Sequence, residues 1–176
     1  DVCFYIPFVY GSQAIPLSAK EKSEAPENHT HRWTVFVRGV NGEDLSFMLR
    51  RVTFRLHDTY DNNNRSVEKY PFEVTETGWG EFEIVIKLLF TLACNEKLIT
   101  LYHNLRLYPL DDVSNTTWSR GKVVHSFHYD ELVFNEPYEA FYQTYLKQPT
   151  ITLPAKKTPA QPYSKTYFYK SVYIHL

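Results

Sequence analysis

Apolar and polar residues alternate along much of this chain with the period of two that is typical of β-strands. In the clearest segment, one face carries only large apolar side chains, Phe82, Ile84, Ile86, Leu88 and Phe90. Similar patterns predict strands near residues 2–10, 33–37, 52–56, 99–107 and 123–134. Because no helical stretch of ten residues lies between these segments, an α/β fold is disfavoured. We therefore expect an all-β protein, an Ig-like antiparallel β-sandwich.

One short helix is predicted after the last strand. Apolar residues recur there at helical spacing, at Tyr138, Phe141, Tyr142, Tyr145 and Leu146. Asn135 or Glu136 is the expected cap, Pro137 suits the first turn, and Pro149 ends the helix. Further prolines argue against a regular long helix beyond this point. We expect a β-sandwich domain at residues 1–147 and a tail at 148–176 that is either disordered or docked as an extended arm.

Composition and charge narrow the class of partner. The chain has 176 residues, about the length of one domain, and 16% are aromatic, which favours strands. Residues 147–176 hold five lysines and no acidic residue, so residues 1–146 hold 14 basic and 20 acidic side chains, a net charge of −6. An acidic body argues against direct nucleic-acid binding, which needs a Lys/Arg surface. It suits a cationic peptide.

The longest apolar stretch, residues 84–94, is interrupted by Lys87 and is shorter than the roughly 18 residues of a membrane span. We expect no membrane segment, and no signal peptide is recognisable. The two cysteines, Cys3 and Cys94, cannot make a disulfide framework. We interpret both as buried free thiols of an intracellular protein.

Catalytic and metal-binding motifs are weak. The sequence has no G-x-S-x-G elbow, Gly-rich phosphate loop or paired-carboxylate motif, so no nucleophile, base and orienting group can be assembled. His29 and His31 would face one way on a strand as zinc ligands, and the obvious partners would be His103, His125 and His128. No cysteine lies near any of them. We therefore expect a non-enzyme with no metal and no cofactor.

Two polar segments combine aromatic rings with hydrogen-bonding groups. The loop at residues 57–65 contains Thr59 and Tyr60, and Trp79 stands between Gly78 and Gly80. A tight turn there presents free backbone N–H groups beside an indole. On composition alone, the favoured interpretation is that Trp79 caps the sandwich end and that Tyr60 is ordinary loop packing. Because both rings lie on loops, we expect their removal to leave the fold intact.

At these residues the sequence resembles the YEATS family. Five blocks carry the resemblance in order, at residues 29–39, 56–60, 72–82, 101–107 and 129–137. The lead-in strand at 7–11 also matches, and the resemblance covers about residues 2–147. Within the family the chain is similar to the Yaf-nine and glioma-amplified branch, which carries the same His-Thr-His and Thr-Glu-Thr-Gly-Trp-Gly-Glu-Phe strings.

The resemblance implies an Ig-like sandwich that reads acylated lysine on histone tails, most of all histone H3. By similarity, Tyr60 and Trp79 form two walls, the Thr59 hydroxyl binds the amide, and the N–H at Trp79 or Gly80 meets the carbonyl. The remaining implied site residues are Gly78 and the supporting residues His31, Phe36, His57 and Phe82. Thr59 stands where the family often has Ser; it keeps the hydroxyl, and its additional methyl group narrows the pocket. The loop at 62–64 lacks the usual proline, so we expect it to be less rigid.

The resemblance also implies a setting. It places the protein in the nucleus, as a subunit of a histone acetyltransferase complex or of a remodeller that installs a variant histone. Because two facing loops at the end of a sandwich form an open slot more naturally than a blind hole, we also expect crotonyl-lysine to bind. In this branch a coiled coil usually follows the domain, but residues 148–176 show no heptads. Two alternatives stay open. One is a chaperone-like binder of unmodified histones; the other is a secreted Ig-like adhesion module, which the glycosylation triplets at Asn28, Asn64 and Asn115 would suit.

Overall fold

The computed structural model describes residues 1–109 and 123–151. In these ranges the chain forms eight strands and two short helices. The strands are β1 (Cys3–Pro16), β2 (His31–Gly39), β3 (Leu49–Arg55), β4 (Asn64–Val67), β5 (Phe72–Gly78), β6 (Glu83–Phe90), β7 (Ile99–Asn104) and β8 (Val124–Asn135). The helices are α1 (Ala19–Glu24) and α2 (Glu139–Leu146).

The strands form two four-stranded sheets. The first sheet has the order β5-β2-β1-β8 and the second has the order β4-β3-β6-β7. Every pairing within them is antiparallel. The predicted all-β sandwich is therefore confirmed, with β4 at the edge of the second sheet lying beside β5 at the edge of the first.

Alternation explains how the core fills the space between the sheets. On β2, Trp33, Val35 and Val37 point inward and are almost completely buried. On β6, Ile84 and Ile86 are fully buried, as the sequence pattern predicts. Each large apolar side chain buried in this way stabilises the fold by about 1.5–3 kcal/mol. The inward faces of β2 and β6 thus hold the two sheets together.

One polar contact lies inside this apolar core. His103 on β7 has no exposed surface, and its Nε2 lies 2.7 Å from the Oγ of Ser12 on β1. Burial, together with nearby His128 and Arg106, lowers the pKa of His103 to about 3. The predicted inward orientation of His103 is confirmed, and its ring is neutral at physiological pH.

The edges of the sandwich differ most from the sequence-based expectation. β4 and β5 were not predicted, because these two strands bury few residues and their polar sequences lack clear alternation. The other two edge strands, β7 and β8, carry an apolar pattern and were predicted. The six residues of α1 were also missed. That helix buries no residue and is stabilised by a capping box between Ser18 and Glu21. β7 ends at Asn104, and the apolar pattern that follows it belongs to a buried loop containing Leu105 and Leu107.

The predicted capping of α2 is wrong. Tyr138 is the N-cap, and it makes no side-chain cap hydrogen bond. Glu136 instead has a positive φ of 47° and bonds to the start of β1. Its backbone N–H donates to the Val2 carbonyl at 2.8 Å, and its carboxylate accepts from the Val2 N–H at 3.1 Å. Phe141 is the fully buried residue of the helix.

The cysteine prediction is half right. Cys94 is a buried free thiol whose pKa burial raises to about 11, whereas Cys3 is free but exposed at the start of β1. None of the described helices is long and apolar enough to cross a membrane. Residues 152–176 of the predicted tail and the triplet at Asn115 lie outside the described residues.

Candidate functional site

A cavity of about 660 Å³ opens at the end of the sandwich where β2 begins and β5 ends. The β3–β4 loop forms one side, and the β5–β6 turn forms the other. Seven of the nine predicted site residues line it: His57, Thr59, Tyr60, Gly78, Trp79, Gly80 and Phe82. Residues separated along the chain by more than twenty positions therefore converge on one cavity.

Trp79 forms the outer wall. It follows Gly78, the last residue of β5, and 61% of its surface is exposed. Trp33, by contrast, is almost completely buried, although some tyrosines away from the cavity, such as Tyr102, are as exposed as Trp79. The flanking glycines differ, because a Cβ at Gly78 would overlap the Tyr60 hydroxyl, whereas a Cβ at Gly80 would meet nothing. Close packing thus requires glycine only at position 78.

Tyr60 forms the inner wall and is anchored to the core. Its hydroxyl donates to the Thr77 carbonyl at 3.0 Å. Its ring packs edge-on against Trp33 at 5.8 Å between centroids and tilts against Phe82 at 5.7 Å. Burial raises the pKa of Tyr60. These contacts argue against the expectation that the ring can be removed at no cost to the fold, because the loop residue Tyr60 is also part of the packing.

Thr59 and His57 form a hydrogen-bonded pair at the cavity mouth. The Thr59 backbone N–H donates to Nδ1 of His57 at 3.3 Å, and the Thr59 hydroxyl lies 3.0 Å from the same nitrogen. Because Nδ1 accepts the backbone N–H, it carries no proton, so the hydroxyl donates to it as well. The lone pairs of the Thr59 oxygen then remain available to accept a hydrogen bond from a ligand.

The loop that carries Tyr60 is more constrained than its asparagine-rich sequence predicts. Asn62 has a positive φ of 47°, a conformation that asparagine tolerates better than most residues. The Asn63 side chain donates to the Asp58 carboxylate at 2.9 Å, and the Asn63 carbonyl accepts from the Leu56 N–H at 2.8 Å. These bonds replace the restriction that a proline would supply.

His31 lies behind the cavity rather than on its surface. It is buried at the start of β2, where it is paired in register with Gly78. Its Nδ1 lies 2.7 Å from the Thr30 hydroxyl, and its ring meets Tyr108 edge-on. Burial lowers the pKa of His31, and the nearby Glu81 partly opposes that shift. His31 therefore supports the site from behind as a neutral ring.

The predicted position of Phe36 beside the cavity is wrong. Phe36 is five residues further along β2, and it does not line the cavity. Alternation sends it to the face of the sheet opposite Trp33 and Val35, which point into the core. On that outer face the Arg38 guanidinium lies 4.3 Å from the centre of its ring. Phe36 is therefore buried outside the core between the sheets.

Seven of the fourteen residues that line the cavity were not predicted as parts of the acyl-lysine site: Pro26, Asn28, His29, Asp61, Arg65, Glu76 and Glu81. Three of these make short polar contacts between side chains. His29 lies in the loop before β2, where its Nδ1 is 2.7 Å from the Thr77 hydroxyl. Arg65 on β4 and Glu76 on β5 also line the cavity and form an ion pair at 2.8 Å. The polar character of the 57–65 loop was the available signal for Arg65, but no local pattern indicates that β4 and β5 are adjacent.

The zinc hypothesis gains no geometric support. His29 and His31 each hydrogen-bond to a threonine. Within residues 1–109 and 123–151, no group of three or more His, Cys, Asp or Glu side chains is placed to hold a metal ion.

Comparison with known proteins gives consistent matches. Residues 28–109 match the YEATS family. The chain is 49% identical to the AF-9 homolog protein of Eremothecium gossypii over 153 residues. This alignment covers 87% of this chain and 73% of that protein. The crystal structure of the Yaf9 YEATS domain bound to H3K27ac aligns with a TM-score of 0.73 and 44% identity, over 84% of this chain and 96% of that chain. A Yaf9 YEATS domain recognising an H3K122suc peptide aligns over the same shares, with 44% identity and a TM-score of 0.68.

The chain belongs to the YEATS family. The matched range runs from just before β2 to just beyond β7, and it includes every residue that lines the cavity except Pro26. The similarity is to the AF-9 homologs, among them the yeast protein Yaf9, so the family and branch predicted from the sequence are confirmed.

Proposed function

We propose that this protein is a non-enzymatic reader of acylated lysine on histone tails. The observation that carries the proposal is the cavity between the Tyr60 and Trp79 rings, which has hydrogen-bonding groups at its mouth. Support comes from two similar structures, in which the Yaf9 YEATS domain is bound to H3K27ac and to an H3K122suc peptide.

The chemistry of the cavity suits an acylated lysine better than a free one. Acylation removes the positive charge and leaves a planar amide with one donor and one acceptor. In the proposed complex the amide lies between the two rings, and its N–H donates to the Thr59 oxygen. The backbone N–H at Trp79 or Gly80 donates to the acyl carbonyl. A free ammonium must lose strongly bound water to enter the cavity. Two of the acidic residues that line it are already paired, Glu76 with Arg65 and Glu81 with Arg106.

The other predicted residues have supporting functions in this proposal. His57 orients the Thr59 hydroxyl, and Phe82 packs behind Tyr60 and against the His57 ring. Gly78 leaves room for the Tyr60 hydroxyl. His31 supports the wall from behind, whereas Phe36 acts at most through β2, since it lies outside the cavity. The acyl-binding contacts are thus assigned to the two loops.

The proposed partner is a histone H3 tail. The net charge of −6 on residues 1–146 complements its lysines and arginines. We further propose a nuclear protein that acts as a subunit of a histone acetyltransferase or variant-histone-exchange complex. Family membership and the similarity to AF-9 homologs support this setting. The β-sandwich with α2, residues 1–147, is the proposed reading domain.

A paired titration tests the proposal. Histone H3 peptides that carry acetyl-lysine or unmodified lysine at the same position are titrated into the purified protein by calorimetry. We expect measurable binding of the acetylated peptide and at least tenfold weaker binding of its unmodified twin, a difference of about 1.4 kcal/mol. Equal affinity for both peptides would refute acyl-lysine reading and would favour a binder of unmodified histones.

A further inference from the structure

The two aromatic walls of the cavity belong to different sheets. Tyr60 lies on the β3–β4 loop, which connects two strands of the second sheet, whereas Trp79 follows β5 at the edge of the first sheet. The gap between the rings therefore depends on how the edges of the two sheets are held relative to each other. Hydrogen bonding within either sheet does not fix it.

Two side chains connect these edges. The Tyr60 hydroxyl donates to the Thr77 carbonyl on β5, and Arg65 makes the charged connection. Arg65 on β4 is bonded to Glu76 on β5 through its Nη2, which lies 2.8 Å from the Glu76 Oε1. The two side chains are 25% and 28% exposed, whereas every other ion pair among the described residues has at least one partner that is 39% exposed or more. Partial burial and a short distance are typical of strong, charge-assisted pairs.

The same guanidinium also holds the loop that carries Tyr60. Its Nε donates to the Asn62 carbonyl at 2.6 Å, and its Nη2 donates to the Asp61 carbonyl at 2.9 Å. Asn62 has the positive φ of 47° noted above, so this turn brings successive carbonyls towards one donor. Arg65 is thereby bonded to the Tyr60 loop on one side and to the strand that leads to Trp79 on the other.

We propose that Arg65 is a positioning residue that sets the separation of the Tyr60 and Trp79 walls, and hence the affinity for acyl-lysine. This inference rests on the proposed reader function. The planar fork of arginine donates to the two carbonyls and the carboxylate at once, whereas the compact ammonium of lysine does not reach all three. We therefore expect that only arginine makes all three contacts at this position, and that a positive charge without the guanidinium fork does not hold the two walls in place.

The first experiment compares Arg65→Met, Arg65→Lys and the parent protein by calorimetry with an acetylated histone H3 peptide. We expect both variants to bind at least tenfold more weakly, although lysine keeps the positive charge. Arg51→Met is the matched control, because Arg51 forms a more exposed ion pair with Glu68 at 3.6 Å, away from the cavity. Its affinity should stay within twofold of the parent.

The second experiment separates positioning from direct contact or general destabilisation. Arg65→Met is combined with Trp79→Ala, which removes one wall. If Arg65 acts by setting the gap between the walls, its loss should cost less than about twofold once one wall is absent. A direct contact with the peptide, or a loss of folded protein, would cost the same factor in both backgrounds and would overturn the inference.

The remaining outcomes are also decisive. If Arg65→Lys binds the peptide as tightly as the parent, simple charge attraction explains the role of Arg65 and the inference is overturned.

Glu76→Gln removes the ion pair but leaves the hydrogen bonds from Arg65 to the Asp61 and Asn62 carbonyls. It therefore tests the inference even if the arginine variants fold poorly. Unchanged affinity in this variant would show that the ion pair between the sheets does not set the gap, which would overturn the inference. If the parent protein does not distinguish acetylated from unmodified peptide, the proposed function fails and the inference fails with it. If the parent does distinguish them but Arg65→Met binds normally, only the inference fails.

Discussion

The two aromatic walls provide a sharp test, because the structure assigns them different costs to the fold. We expect Trp79→Ala to leave thermal stability unchanged and Tyr60→Ala to reduce it, although both variants should bind the acetylated peptide more weakly. The difference follows from exposure: Trp79 is 61% exposed, whereas Tyr60 packs on Trp33 and Phe82 and donates to the Thr77 carbonyl. Substitutions of exposed residues usually change stability by less than about 0.5 kcal/mol.

The magnitude for Tyr60 follows from its contacts. Truncating a fully buried aromatic ring costs about 3–5 kcal/mol, so a half-buried ring costs about 2 kcal/mol. The lost hydrogen bond adds about 1 kcal/mol. At about 2–4 °C per kcal/mol for a protein of this length, Tyr60→Ala should lower Tm by about 6–12 °C. Each wall should contribute at least about 2 kcal/mol to binding, which corresponds to roughly a thirtyfold change in Kd.

Calorimetric melting and peptide titration on the same samples check both quantities. Tyr102→Ala is the matched control, because Tyr102 on β7 is 59% exposed and does not line the cavity. It should change neither Tm nor Kd. Equal Tm losses for the two wall variants would contradict the packing argument, and normal binding by Trp79→Ala would contradict the assignment of the site.

Three further predictions concern the same fold and site. Gly78→Ala should weaken acetyl-peptide binding several-fold by displacing the Tyr60 hydroxyl, whereas Gly80→Ala, which meets no atom, should bind like the parent in the same titration. Because burial lowers the pKa of His103 to about 3 from 6.5, the unfolded chain binds a proton that the folded chain does not. The free energy of unfolding should therefore fall as the pH drops below 6.5, by up to about 1.4 kcal/mol per pH unit. Urea unfolding between pH 5 and 7 should show a weaker pH dependence of this free energy for His103→Gln than for the parent. An identical pH dependence in the two proteins would refute the effect. Crotonyl-lysine should bind at least as tightly as acetyl-lysine, and stacking of its double bond on an aromatic wall should add about 0.5–1.5 kcal/mol of binding free energy. Calorimetry with matched peptides measures this difference. A clear loss of affinity for the crotonyl peptide would mean that the Thr59 methyl closes the slot.

The strands with an apolar face in the core were predictable, including β8 at the edge of the first sheet. β2, β3, β6 and β8 all show an alternating apolar pattern, and burial follows it closely. β4 consists of Asn64–Val67 and has no fully buried residue, so its place in the sheet comes from backbone pairing with β3. Such pairing is a long-range property that a local pattern does not encode.

The site was predictable where its residues are neighbours in sequence. Thr59 with Tyr60, and Trp79 with its flanking glycines, stand out as short combinations of aromatic rings and polar groups. His29 and Arg65 did not stand out as site residues, because their contacts depend on which strands and loops meet at the sandwich end. Phe36 was misplaced because a resemblance transfers residue positions and cannot replace the alternation that turns its ring outward.

The exposed indole of Trp79 has a thermodynamic consequence for any ligand that covers it. An apolar ring in water holds an ordered hydration shell, and releasing that water on binding lowers the heat capacity of the complex. The binding enthalpy should therefore become more negative as temperature rises. An anchored wall such as Tyr60, already half dehydrated in the free protein, contributes less to this slope. Most of the heat-capacity change on binding should therefore come from Trp79, whose ring stays hydrated until a ligand covers it.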